Sequence, residues 1–228
     1  MALSNSCGAG TTKPELAPPC LCLVTDRARA ASGDITSAAS MAVDGGVGMV
    51  QLRGKDYAAS DLLSLAHELR RVTAGRALLI VNDRVDIAIL SGADGIQLGE
   101  RALDVCSARR LVGADMLIGR SVHSVEGAVE AASSGADFLV LGTIFETSSH
   151  PGVQTGGLKL IRDVTSRVET PVMGIGGISE SNVAEVIQAG AAGAAVITAI
   201  SMAQDPQAVA SRLSAAMNRA HSRFSEQK

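Results

Sequence analysis

Hydrophobic positions along the chain fall into short, nearly continuous runs separated by longer amphipathic stretches. Eight such runs can be read: Cys20–Thr25, Gly48–Leu52, Ala77–Asn82, Gly95–Leu98, Met116–Gly119, Phe138–Leu141, Val172–Ile175 and Ala194–Ile197. They are apolar throughout rather than alternating, as strands buried on both faces of a parallel sheet must be. The stretches between them repeat with helical period, for example Ala58–Val72, Ser124–Ser133, Ser179–Ala189 and Pro206–Ala220. Ser and Asp stand at their starts, with Ser60-Asp61 expected to cap the first of these, and Gly75, Gly92, Gly135 and Gly190 stand at their ends. The phrase Gly-Ala-Asp or Gly-Ala-Ala recurs before the fourth, sixth and eighth runs, at Gly92, Gly135 and Gly190. Eight strand–helix units over roughly 210 residues predict a single (β/α)8 TIM barrel, slightly shorter than the ~250 residues typical of that fold. The open doubly wound sheet is the rival, but no Gly-rich turn follows Thr25.

Composition adds little to that picture and removes several functions. The chain has 228 residues, 46% hydrophobic and 19% charged, with a formal net charge of −3. No Lys/Arg run offers a footprint for nucleic acid, and three Phe, one Tyr and no Trp leave little for bases to stack on. No apolar run approaches the ~18 residues of a membrane span, so neither nucleic acid nor membrane is an expected partner. The start lacks the basic flank and apolar centre of a secretory signal. Residues 1–18 read as a mobile polar tail, 19–222 as the barrel, and 223–228 as a polar C-terminal tail. Cys7, Cys20, Cys22 and Cys106 lack zinc-site spacing and read as reduced, mostly structural thiols, which points to the cytoplasm. Apolar outer helix faces would favour a homodimer.

In a TIM barrel the active site lies beyond the C-terminal strand ends. After the second run stand Gln51, Arg53 and Lys55, a carboxamide and two cations suited to phosphate or pyrophosphate. The competing reading is a surface basic patch paired with acids. After the third stand Asn82 and Asp83, an amide contact and a Mg2+-binding carboxylate, or else an ordinary N-cap for Val85–Leu90. The fourth ends in Gln97-Leu-Gly-Glu100-Arg101. The fifth leads into Ser121, His123 and Ser124, with Ser124 also a natural helix cap. The sixth opens a long hydroxyl-rich loop containing Thr147, Ser149 and His150, a candidate lid or phosphate cradle. Paired Gly176-Gly177 after the seventh run, with Ile197 and Thr198 after the eighth, match the phosphate site common in these barrels. These positions predict a barrel enzyme acting on phosphorylated small molecules.

Six motifs in order carry a resemblance. They are Val50-Gln-Leu-Arg-Gly-Lys55, Val81-Asn-Asp-Arg-Val-Asp-Ile-Ala88, Ala93-Asp-Gly-Ile-Gln-Leu-Gly99, Ile118-Gly-Arg-Ser-Val-His-Ser124, Gly142-Thr-Ile-Phe-Glu-Thr147 and Gly174-Ile-Gly-Gly-Ile178. From about Leu21 to Met217 the chain resembles the thiamine phosphate synthase/TenI superfamily. The resemblance implies one of two chemistries. Synthases join hydroxymethylpyrimidine pyrophosphate to a thiazole phosphate by loss of Mg2+-bound pyrophosphate. TenI-like tautomerases shift a proton on a thiazole phosphate carboxylate without metal. On the synthase pattern Gln51, Arg53, Lys55 and Asn82 would hold the pyrimidine pyrophosphate and Asp83 one Mg2+. Ser121, Thr147 and Ser149 would add hydroxyl contacts, and Gly177, Ile197 and Thr198 would take the thiazole phosphate. On the tautomerase pattern His123 would be the general acid/base.

The chain departs from the synthase pattern where a second metal carboxylate is usual, since Ala102 stands there and neither Glu100 nor Asp104 is in register. Gln97 replaces a histidine, and His150 replaces the lysine of the pyrophosphate loop. Phe145-Glu-Thr and Gly119-Arg-Ser-Val-His-Ser look closer to TenI. The retained Gln51-x-Arg53-x-Lys55 and Asn82-Asp83 make the synthase the first reading and the tautomerase the second. A ligand-binding regulator without turnover is the third.

Overall fold

The computed structural model of the chain describes residues 13–29, 34–54, 56–147 and 152–226. Its strands are β1 Cys20–Val24, β2 Met49–Leu52, β3 Leu78–Asn82, β4 Gly95–Leu98, β5 Leu117–Val122, β6 Phe138–Leu141, β7 Val172–Ile175 and β8 Gly193–Val196. They pair in chain order, all parallel, and β8 closes on β1 with Cys20 opposite Gly193. The helices are α1 Ile35–Asp44, α2 Ala59–Thr73, α3 Val85–Ser91, α4 Val105–Val112, α5 Val125–Ser133, α6 Gly157–Thr165, α7 Val183–Gln188, α8 Thr198–Ser201 and α9 Pro206–Ser225. The (β/α)8 barrel expected from the sequence is the fold.

Continuous apolarity in the strands has a direct cause here, because each strand faces two cores. One set of side chains, including Leu21, Leu23, Val50, Leu79, Val81, Ile96, Ile118 and Leu139, packs outward against the helices. The alternate set, Cys20, Cys22, Val24, Met49, Ile80, Leu117, Phe138, Val140, Met173 and Ala195, fills the barrel interior. Period-two alternation is present, but both faces are dry.

The recurring Gly-Ala-Asp is a joint at the N-terminal end of the barrel. Gly92 and Gly135 adopt φ of 64° and 88°, which a glycine tolerates, and each turns the chain out of a helix. The following aspartate then ties two earlier elements together. Asp94 Oδ2 accepts from the Leu79 N–H of β3 and from Arg70 of α2, both at 2.7 Å. Asp137 Oδ2 accepts from the Ile118 N–H of β5 at 2.8 Å and from Arg109 of α4 at 2.5 Å. The same offsets recur because the units are quasi-repeats. Ala192 takes this place before β8 and brings no carboxylate.

Several boundaries differ from the sequence reading. Residues 13–18, expected within the mobile tail, lie against the barrel: Lys13 Nζ pairs with Asp137 at 2.5 Å and Leu16 packs on the interior cluster. The tail's first twelve residues and the last two of the chain lie outside the described residues. Helix α9 runs through Ser225, past the expected end of the barrel at 222. Ser60 and Asp61 do not cap α2; Ala58 is its N-cap without a side-chain bond, and both residues sit in the first turn. Helix α7 begins at Val183 rather than Ser179, because Asn182 folds back, accepting from the Ser179 N–H and donating to Gly177 O. Strand β5 continues to Val122, which makes Arg120 and Ser121 strand residues with alternating directions. Among the described residues no helix is long and apolar enough to cross a membrane.

Candidate active site

The uppermost inward positions of β2 to β5 are polar, whereas those of β6 to β8 and β1 stay apolar. Gln51 stands one residue before the end of β2, and its Nε2 donates to Asn82 Oδ1 at the end of β3, 2.8 Å away. Gln97 of β4 donates through Nε2 to Ser121 Oγ of β5 at 3.0 Å. Val140, Ile175, Ile197 and Val24 line the facing arc. Above this layer opens a cavity of about 1040 Å3 at the C-terminal end of the barrel. A polar arc opposite an apolar one suits a flat heterocycle that carries a charged group.

The structure brings Gln51, Arg53, Asn82, Asp83, Ser121, His123, Thr147, Gly177, Ile197 and Thr198 to this one cavity. Lys55, Ser149 and His150 lie outside the described residues. Arg53 is fixed by the end of β1: its N–H donates to Thr25 Oγ1 at 3.0 Å and its Nη1 to Asp26 Oδ2 at 3.2 Å. The acid-paired reading of this basic group therefore holds for Arg53, yet its side chain still faces the cavity. Thr25 and Asp26, which hold Arg53, are passed over by the strand-end reading although they follow a barrel strand directly.

Asn82 and Asp83 do not cap α3, whose N-cap is Arg84 and lacks a side-chain bond. Asp83 instead takes φ of 59°, uncommon for a residue with a Cβ, and its Oδ1 accepts from the Gly99 N–H at 2.8 Å. The β3 and β4 exits are thereby locked to each other. Ser124 does cap α5, accepting from the Gly127 N–H, and Asp104 caps α4 in the same way. The Ser107 N–H also holds the Asp104 carboxyl below the usual range. His123 follows the end of β5 at the cavity, with Nδ1 at 2.5 Å from Gly142 O and Nε2 at 3.2 Å from Glu100 Oε1. A carbonyl only accepts, so Nδ1 carries a proton. Arg120, unremarked as a site residue in the sequence, donates through Nη1 to Gly99 O and Leu103 O and so holds the loop that bears Glu100 and Ala102.

Glycines 176 and 177 adopt φ of 103° and 62°. A Cβ on Gly177 would meet Glu146 O and lie 2.8 Å from Phe145 Cβ, so the β7 exit and the β6 loop approach as backbones. For a metal, Asp83 offers one carboxylate at the cavity rim. Among the described residues no three His, Cys, Asp or Glu side chains form a group that could hold an ion unaided. This donor set fits Mg2+ only in its mode of one carboxylate plus substrate phosphates and water.

A closed (β/α)8 barrel with amides, a cation and a carboxylate around one mouth cavity is the arrangement of a barrel enzyme. The family model described as thiamine monophosphate synthase matches residues 21–200, and the chain belongs to this family. It is 45% identical over 182 residues to the thiamine-phosphate synthase of Methanoculleus marisnigri, covering 79% of this chain and 86% of that protein. It is 40% identical over 185 residues to the thiamine-phosphate synthase of Clostridium acetobutylicum, covering 81% and 88%. The solved structure of thiamine phosphate pyrophosphorylase from Pyrococcus furiosus superposes with a TM-score of 0.82 at 33% identity, covering 88% of this chain and 96% of that one.

Proposed function

We propose that this chain is a thiamine phosphate synthase, a transferase that joins a pyrimidine methyl pyrophosphate to a thiazole phosphate and releases pyrophosphate. The observation that carries the reading is the convergence of Gln51, Arg53, Asn82, Asp83 and Ser121 on one cavity of a family barrel. In the reaction the pyrimidine methylene carbon–oxygen bond breaks, its electron pair leaves with pyrophosphate, and the thiazole nitrogen supplies the pair for the new carbon–nitrogen bond. Little covalent chemistry falls to the protein. Its task is to hold the separating charges and keep the pyrimidine cation beside its nucleophile.

The Gln51–Asn82 amide pair keeps Gln51 Oε1 and Asn82 Nδ2 for the pyrimidine ring edge. Arg53 and the hydroxyls of Ser121 and Thr147 receive the pyrophosphate, with Lys55, Ser149 and His150 assigned to it by their place in the sequence. Gly177, Ile197 and Thr198, which line the cavity together, take the thiazole phosphate. Asp83 would hold one Mg2+, which when bound neutralises charge on the leaving pyrophosphate. Pyrophosphate release on mixing both substrates tests the reading. It should require each substrate and Mg2+, and release that persists without the thiazole phosphate would contradict the transfer.

A proton-shift reading centred on His123 is less well supported. His123 Nε2 faces the Glu100 carboxylate, and such a reaction has no use for Asp83 or for the Gln51–Asn82 pair.

A further inference from the structure

Gln97 is 1% exposed, and its Oε1 has no hydrogen-bond partner among the described residues. A buried amide oxygen left unpaired is costly, so its placement calls for a reason. The neighbour on β5 supplies the geometry. Gly119 lies opposite Gln97 in the strand register, and a Cβ there would run into both Gln97 Oε1 and the edge of the Phe138 ring. The carboxamide thus lies across the space a side chain would fill and reaches over Gly119 to Ser121. Its oxygen and the edge of the Phe138 ring, the electropositive part of an aromatic side chain, both border the space over Gly119. Its NH2 turns to Ser121 Oγ.

This orientation decides what Ser121 does. A hydroxyl that accepts from Gln97 keeps its own proton for another partner, and Ser121 Oγ–H has no acceptor among the described residues. It faces the cavity. With the amide reversed, Ser121 would spend its proton on Gln97 and offer only lone pairs to an anion. We infer that Gln97 is a positioning residue that fixes the Ser121 hydroxyl as a donor toward an anionic substrate group, the pyrophosphate. The inference deepens the synthase reading and rests on it for the identity of that anion.

The test is a double-mutant cycle of Gln97→Met, Ser121→Ala and the pair, read as affinity for inorganic pyrophosphate with Mg2+ by calorimetry. Gln97→Met conserves volume and removes the unpaired oxygen, so thermal stability should hold or rise. Pyrophosphate affinity should fall about three- to tenfold, the worth of ordering one hydrogen bond. Affinity for thiazole phosphate should be unchanged, and Gln97→Met should cost nothing further in the Ser121→Ala background. Multiplicative losses, an equal loss for thiazole phosphate, or a wild-type chain that does not bind pyrophosphate would overturn the inference. Turnover is scored separately. Coupling in pyrophosphate affinity without any thiamine phosphate formed would uphold the role of Gln97 and remove the synthase reading.

Discussion

Asp83 carries two burdens on one side chain. Its Oδ1 is committed to the Gly99 N–H, and its backbone occupies the left-handed region at φ 59°. Asparagine accepts both conditions, since it visits that region readily and keeps an oxygen for Gly99. Asp83→Asn therefore separates charge from scaffold. Mg2+-dependent turnover should fall by about 10²-fold or more while the melting temperature moves by no more than about 2 °C, because only the charge offered to the metal is lost. A variant with turnover within threefold of wild type would remove Asp83 from the metal site. In the sequence Asp83 could be seen as a carboxylate at a strand end, but an N-cap was equally open. What rules out the cap is a contact to Gly99, sixteen residues away just past the end of β4, which no local pattern records. The paired Gly176-Gly177 was legible for the opposite reason, since tolerance of positive φ is a property of the residue type itself.

At the level of elements, the two carboxylates at the base of the barrel, Asp94 and Asp137, tie the turns before β4 and β6 to β3 with α2 and to β5 with α4. Asp137 accepts from Ile118 and Arg109 and also meets Lys13, so a single side chain fastens β5, α4 and the segment before β1. Asp137→Ala leaves these donors without their acceptor, at a cost of about 1–3 kcal/mol. For a domain of this size that amounts to a fall of roughly 3–10 °C in melting temperature, measured by calorimetry. Michaelis constants of the folded variant should not change, because Asp137 lies at the opposite end of the barrel from the cavity. A shift below about 1 °C would show that the joint is dispensable. The Gly-Ala-Asp repeat was visible in the sequence as a repeat, and its glycines could be read as helix ends. That its aspartates reach back to the preceding strand is a consequence of barrel closure and appears only in three dimensions. The extension of β5 to Val122 escaped the reading because Arg120 and Ser121 are polar, and polarity ends a run of hydrophobic positions without ending a strand.

Across the whole molecule, closure gives the interior its own chemistry. Cys20 and Cys22 point into the barrel among Met49, Phe138 and Met173. Burial pushes the Cys20 thiol up to about 12 and the Cys22 thiol well above its ordinary value. Both are neutral thiols at neutral pH, and a neutral thiol is a poor nucleophile. Cys106 is exposed. Under native conditions a thiol reagent followed by peptide mass spectrometry should label Cys106 and spare Cys20 and Cys22. The interior pair should react only as the barrel opens, at the rate of global unfolding. Rapid labelling of Cys20 in native protein would mean that the β1–β8 seam breathes. The barrel itself was the most legible feature of the sequence, because eight doubly buried strands leave eight apolar runs. The cavity was legible as a set of strand ends, but the split between its polar and apolar arcs depends on how eight strands stagger as they close.

A cavity that joins two phosphorylated heterocycles must make thiamine phosphate from them. The most direct test is to incubate the purified chain with pyrimidine methyl pyrophosphate, thiazole phosphate and Mg2+ and to measure thiamine phosphate after oxidation to its fluorescent product. Thiamine phosphate should appear well above a protein-free control, formed in equal amount with pyrophosphate and abolished by a chelator. Absence of product, with a thiazole phosphate carboxylate still tautomerised in the presence of that chelator, would contradict the synthase reading and return His123 to the centre of the site.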